Sequence, residues 1–103
     1  MKNVGLLSKD VITKTRVLEA MEDQGYQLTI INSSVFDSSG FDVLMVDLDD
    51  PTAMLVLKNH AHKSIAFASA NDEDKLKAAR QAGCERVYKH GEFFKKILPK
   101  FKI

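Results

Sequence analysis

The sequence predicts an α/β domain built on a parallel sheet with helices on both faces, and three observations carry that prediction. Short apolar runs alternate with stretches of helical periodicity along the whole chain. The strongest runs, Val4-Gly5-Leu6-Leu7 and Val43-Leu44-Met45-Val46, are continuous rather than alternating, as expected of strands covered on both sides. Gly25 and Gly83 follow helical stretches and precede apolar ones, as C-terminal helix stops do.

Strand one spans Val4 to Leu7 and ends in polar Ser8-Lys9-Asp10. A first helix runs from about Thr13 to Gln24, with Val17, Leu18 and Met21 at helical spacing and Gly25 as its stop. Gln27 to Ile31 is β-branched and apolar enough for strand two. Asn32-Ser33-Ser34 and Asp37-Ser38-Ser39-Gly40 then carry turn chemistry, which leaves little room for a full second helix. Strand three, Phe41 to Leu48, finishes on the acids Asp47, Asp49 and Asp50. Pro51 opens a short helix ending near Asn59, with Asp50 placed to cap it. Ile65 to Ser69 reads as strand four, Asn71 to Gln81 as a helix with acids first and bases later, and Arg86 to Tyr88 as strand five. A last helix, Gly91 to Leu98, presents Phe93, Phe94 and Ile97 on one face before Pro99 limits its regularity.

Composition bounds the function classes. The 103 residues suit one domain (1–103) with a modest core, and 15 basic against 14 acidic residues give no bulk charge for nucleic acid. No apolar run approaches the roughly 20 residues that span a bilayer, so a cytoplasmic protein without membrane contact is expected. Cys84, the sole cysteine, reads as a buried structural thiol. Chemistry in such sheets gathers at the C-terminal strand ends, here Ser8-Lys9-Asp10, Asp47-Leu48-Asp49-Asp50, Ser69-Ala70-Asn71 and Lys89-His90.

These tips resemble the receiver domain of two-component response regulators. Asp42 to Pro51 is similar to that family's third strand, with Asp47 in the phospho-acceptor place. Ser64 to Ala70 is similar to its fourth strand, with Ser69 at the switch position, and Ala82 to Lys89 resembles the turn and strand that lead to its lysine. Gly25-Tyr26 looks like the usual end of helix one. The resemblance covers nearly the whole chain. It implies a flavodoxin-like three-layer sandwich, sheet order 2-1-3-4-5, with the second helix reduced or absent.

The departures shape the expected function. Counting back from Gly25 puts Ser8 and Lys9 where an active receiver carries the acidic pair that binds magnesium, and counting from Gly83 puts His90 on the lysine position with Lys89 just before it. Tyr88 is out of register with the aromatic switch residue. Phosphoryl transfer to a carboxylate needs its developing charge neutralised, and magnesium demands octahedral oxygen coordination. With Ser8 and Lys9 in place, magnesium binding is disfavoured and no cofactor or metal is expected, although Asp10 or Asp49 stands within reach of the same pocket. Lys9 turned toward Asp47 at about 4 Å would contribute on the order of a few kcal/mol at an effective dielectric near 20.

The reading is therefore a pseudo-receiver: not an enzyme, but a signalling or docking module with little or no magnesium-dependent phosphorylation. The alternative is a phospho-accepting switch using Asp47. The resemblance implies that the 71–81 helix, strand five and the last helix meet a kinase or an output domain, through Tyr88, His90, Lys95 and Lys96, and leaves a homodimer open. The basic, aromatic C-terminal stretch reads as a helix face covering the sheet, which disfavours nucleic acid. His60 and His62 lack a third ligand for zinc, and no glycine-rich loop follows strand one to cradle a nucleotide.

Overall fold

The computed structural model describes every residue except Met1 and Ser34. Ser34, which the sequence places in a turn, lies outside the described residues. Five parallel strands, β1 (Asn3–Leu7), β2 (Gln27–Ile30), β3 (Val43–Asp47), β4 (Ser64–Ala68) and β5 (Arg86–Lys89), form one sheet in the order β2-β1-β3-β4-β5. This is the flavodoxin-like arrangement, with helices α1 (Val11–Asp23), α2 (Ala53–His60) and α3 (Glu73–Gln81) and a C-terminal helical segment, α4, that starts at His90–Glu92.

Side chains alternate between the two faces of each strand. Val4, Leu6, Val43, Met45, Ile65 and Phe67 therefore pack under α1 and α4, against Val17, Met21, Phe93, Phe94, Leu98 and Phe101. Leu7, Leu44, Val46, Ala66, Ala68 and Val87 face the other way, onto Val56, Leu57, Leu76, Ala79 and Cys84. Burial on both sides is why β3 reads as an unbroken apolar run.

The helices differ from their predicted form in instructive ways. In α1, Thr13, Val17 and Met21 form the buried stripe, whereas Leu18 is 42% exposed because it lies a step off that line. Pro51 precedes α2 rather than opening it. Asp50 accepts hydrogen bonds from the backbone N and Oγ1 of Thr52, so it closes the turn before the helix instead of capping the helix. The last helix widens into a π-helical segment at Phe93–Ile97 and tightens into a 3-10 turn at Leu98–Lys100, which carries Pro99. Phe93 stacks on Phe67 with ring centres 4.3 Å apart, while Phe94 meets the same ring edge-on at 5.9 Å and lies under the Arg16 guanidinium. Both glycine stops are real left-handed positions, with φ of 81° at Gly25 and 100° at Gly83.

Among the described residues between β2 and β3, only a 3-10 turn, Ser38–Gly40, stands where a second helix would lie. Ile31, Phe36 and Phe41 cover that side of the sheet instead. Lys63 Nζ ties the segment down by donating to the carbonyls of Ser38 and Phe41. The cover sits directly on Gly5: a Cβ there would lie 2.7 Å from Ile31 Cδ1, 2.9 Å from Leu44 Cδ2 and 3.2 Å from Phe41 Cδ1. Gly5 is thus required by a close approach rather than by a turn.

Gly5→Val is expected to destabilise the fold by about 1–3 kcal/mol through overpacking, read as a lowered urea midpoint, whereas Gly40→Ala, with nothing within 4 Å of the added carbon, leaves the midpoint near that of the parent. Asp37 accepts from the N and Oγ of Ser39, and these bonds hold its carboxyl below the usual value of 3.8. Because the folded value is the lower one, the stabilisation is present above that ordinary value and is lost as pH falls through the folded one. Thermal melts of the parent and Asp37→Asn should therefore differ at neutral pH and converge in strong acid.

Candidate functional site

The alternation that builds the core also decides which strand tips meet. In the register between β1 and β3, Leu7 pairs with Val46, which makes Ser8 and Asp47 neighbours on the face that carries Leu6 and Met45. Ser8 Oγ donates to Asp47 Oδ2 at 2.7 Å, and the backbone N of Asp49 donates to Asp47 Oδ1 at 3.0 Å. Asp47 is only 2% exposed and Ser8 3%. Removing a carboxylate from water is tolerated when donors replace the lost hydration, and here each oxygen has one.

Asp10 does not turn to Asp47. It is the N-cap of α1, with Oδ2 accepting from Thr13 Oγ1 at 2.6 Å and Thr13 N at 2.9 Å. These bonds, the hydroxyl's first, hold its carboxyl below the ordinary value. Lys9 is exposed at the rim, and among the described residues it forms no ion pair with Asp47. The expected ammonium–carboxylate contact is replaced by the Ser8 hydroxyl, because in the β1–β3 register it is Ser8 that abuts Asp47. The ion pair at this end of the sheet joins Lys75 Nζ to Asp49 Oδ1 at 2.6 Å, and it raises the Lys75 ammonium's pKa. Lys75 was not among the sequence candidates. Its place in the first turns of α3, just past the β4 tip, is the signal that points to it.

Phe67 pairs with Tyr88 and Ala68 with Lys89. Lys89 therefore faces away with Val87, and it is exposed. His90 comes back to the Asp47 face and packs 5.5 Å from the Phe67 ring and 5.8 Å from the Phe94 ring. A cavity of about 180 Å³ is lined by Lys9, Asp10, Asp47, Asp49, Asp50 and His90. Neither Ser69 nor Lys89 lines it. Ser69 Oγ accepts from Asn71 N at 3.3 Å, closing the turn after β4.

The remaining candidates separate on the surface. Tyr88, Arg86, Lys96, Lys100 and Lys102 border one shallow basic depression, whereas Lys95 lies with His90 and Arg16 on the other side of α4. His60, at the end of α2, packs its ring 5.1 Å from Phe36, and His62 is exposed. Cys84 is buried, and burial pushes its thiol pKa up.

No known family pattern matches the sequence, and no curated protein does. Solved structures do match in fold. The receiver domain of TorR, a response regulator of the TMAO respiratory system, superposes with a TM-score of 0.74 at 11% identity, covering 87% of this chain and 84% of that one. The receiver domain of Ssk1 from Saccharomyces cerevisiae, crystallised with the histidine phosphotransfer protein Ypd1, gives 0.69 at 12% over 86% and 78%. A pilus assembly protein (CpaE) of Burkholderia thailandensis gives 0.66 at 18% over 88% and 87%. The chain has the response-regulator receiver fold, with five parallel strands in the order 2-1-3-4-5. Among the described residues, no helix is long and apolar enough to cross a membrane.

Magnesium, the ion this fold family implies, does not fit these side chains. The β1 tip supplies a hydroxyl already bonded to Asp47, an exposed ammonium, and a carboxylate committed to capping α1. Ser8→Ala is expected to leave a buried carboxylate oxygen without its donor and to lower stability by about 1–3 kcal/mol; chemical denaturation against Ser33→Ala, an exposed serine, checks it.

Proposed function

We propose that this chain is a receiver-like signalling module of the cytoplasm that acts by docking to a protein partner, with little or no magnesium-dependent phosphorylation of Asp47. The observation that carries this is the state of Asp47: 2% exposed, with Ser8 Oγ on one oxygen and Asp49 N on the other. A carboxylate acting as nucleophile must present an oxygen to the phosphoryl donor beside a charge that neutralises the transition state. Neither the hydroxyl nor the exposed Lys9 provides a divalent charge there.

The basic depression of Arg86, Tyr88, Lys96, Lys100 and Lys102 suits an acidic surface on a kinase or output domain. That Ssk1 was crystallised with Ypd1 supports protein contacts as the use of such a fold, and the CpaE likeness supports a use under a name other than response regulator. A second copy of the chain would meet the same face unfavourably, because its charge there has the same sign.

Incubating the chain with acetyl phosphate and magnesium and recording its intact mass tests the reading. The parent is expected to stay unmodified, while Ser8→Asp with Lys9→Asp, which restores two acids at the β1 tip, gains the mass of one phosphoryl group. Rapid stoichiometric addition to the parent, abolished by Asp47→Asn, would instead establish the phospho-accepting switch.

A further inference from the structure

We propose that two copies of this chain pair through the edge strand β2, continuing the sheet across a twofold axis. β2 is an outer strand, hydrogen-bonded to β1. Gln27 N donates to Lys2 O and Ile31 N to Leu6 O, so the odd-numbered residues of β2 turn their backbone groups inward. The residues between them turn theirs outward, as alternate residues of an edge strand do. The N–H and C=O of Leu28 and of Ile30 therefore face away from β1, and among the described residues nothing pairs with them.

Twofold pairing satisfies all of these groups. With Thr29 on the axis, Leu28 of each copy exchanges two hydrogen bonds with Ile30 of the other. The two Thr29 residues then form the pair without direct hydrogen bonds, their Cα atoms about 4.5 Å apart. Leu28 and Ile30, half-buried on the α1 side, cover one another across the junction. Gln27 and Thr29 are exposed on the opposite face, so that side of the edge is open as well.

Charge favours a second copy as the occupant. From Gln27 to Ile30 the strand carries neither a charged residue nor a proline, whereas the other edge strand, β5, carries Arg86 and Lys89. Charges of that kind block edge pairing, and β2 lacks them. The flank of α1 is also self-complementary. Arg16, Ala20 and Asp23 border the groove against α4, which puts Lys14, Leu18 and Glu22, spaced four residues apart, on the flank toward the β2 edge. Leu18 is 42% exposed, and among the described residues neither Lys14 nor Glu22 forms an ion pair. Leu18 lies about 7 Å up α1 from Asp23 and Thr29 about 7 Å up β2 from Gln27, so one axis passes both. Strands about 4.8 Å apart bring α1, lying over β1 and β2, to about 10 Å from its symmetry mate, an ordinary helix separation. Antiparallel across that axis, Leu18 meets Leu18, and Lys14 of each copy meets Glu22 of the other. A strand from a different protein would fill the backbone groups without using this matched flank.

β2 and β5 stand at opposite edges of the sheet, so pairing here and docking at the basic depression succeed or fail separately. Sedimentation of the full chain at tens to hundreds of micromolar is expected to show a reversible dimer. Thr29→Lys, which sets two ammonium groups face to face on the axis, should return the chain to a monomer. Lys14→Glu and Glu22→Lys should each weaken the dimer several-fold, and the two together should restore it, because each pair regains opposite signs. Circular dichroism checks the fold of every variant. Register is read by crosslinking: under mild oxidation Thr29→Cys is expected to form a disulfide between copies, its Cα separation being within disulfide range. Gln27→Cys, which lies opposite Ile31 rather than its own mate, is not. A monomer throughout the concentration range would overturn the proposal. So would a dimer indifferent to Thr29→Lys, a double charge reversal that fails to restore pairing, or crosslinking of Gln27→Cys as readily as of Thr29→Cys.

Discussion

The hydrogen bond from Ser8 Oγ to Asp47 Oδ2 joins the tips of the neighbouring strands β1 and β3, and the pocket is organised around it. A carboxylate only 2% exposed survives because donors replace water, and the Ser8 donor is available because the pleat of β1 aims it along the same face as Asp47. An acid at position 8 in that register would put two carboxylates in contact and require a cation between them. A serine needs none, so the pocket closes on its own hydrogen bond. Ser8 therefore supplies an internal partner for the buried acid at the end of β3.

The other acids are similarly assigned to local work. Asp10 caps α1, Asp50 closes the turn before α2, and the Asp49 carboxylate accepts from Lys75. Short polar side chains satisfy nearby amides whenever the backbone leaves them orphaned, and each such bond withdraws a carboxylate from catalysis or coordination. Asp47 and Asp49 are left beside His90, whose ring is set by the aromatic packing of Phe67 and Phe94. The π-helical widening of α4 places Phe93 and Phe94 together against Phe67, and so the composition of the core reaches the functional end of the sheet.

On the far side of β1, a short turn has taken the place of a helix. Ile31, Phe36 and Phe41 cover the sheet closely enough that Gly5 has no space for a side chain. Three apolar side chains laid flat on a glycine exclude water as a helix would, at the expense of tolerance to substitution beneath them.

Most of the architecture was legible in the residues alone. The order of elements, the glycine stops at 25 and 83, the loss of the second helix and the four polar strand tips follow from periodicity and turn chemistry, which are properties of short segments. Leu18 was misplaced because helical spacing fixes a stripe only to within a residue, and Asp50 because a cap and a turn share one chemistry. Strand parity, counted from Val4, Val43 and Arg86, would already have sent Ser8, Asp47 and His90 to one face and Lys89 to the other. What parity could not give is the pairing itself. Ser8 and Asp47 are 39 residues apart, and Lys75 and Asp49 are 26 apart. Their contacts exist only once the register of β1 on β3 and the docking of α3 beside β4 are fixed. The sequence determined which groups arrive at the tips, and the tertiary structure decided which of them spend their hydrogen bonds on one another.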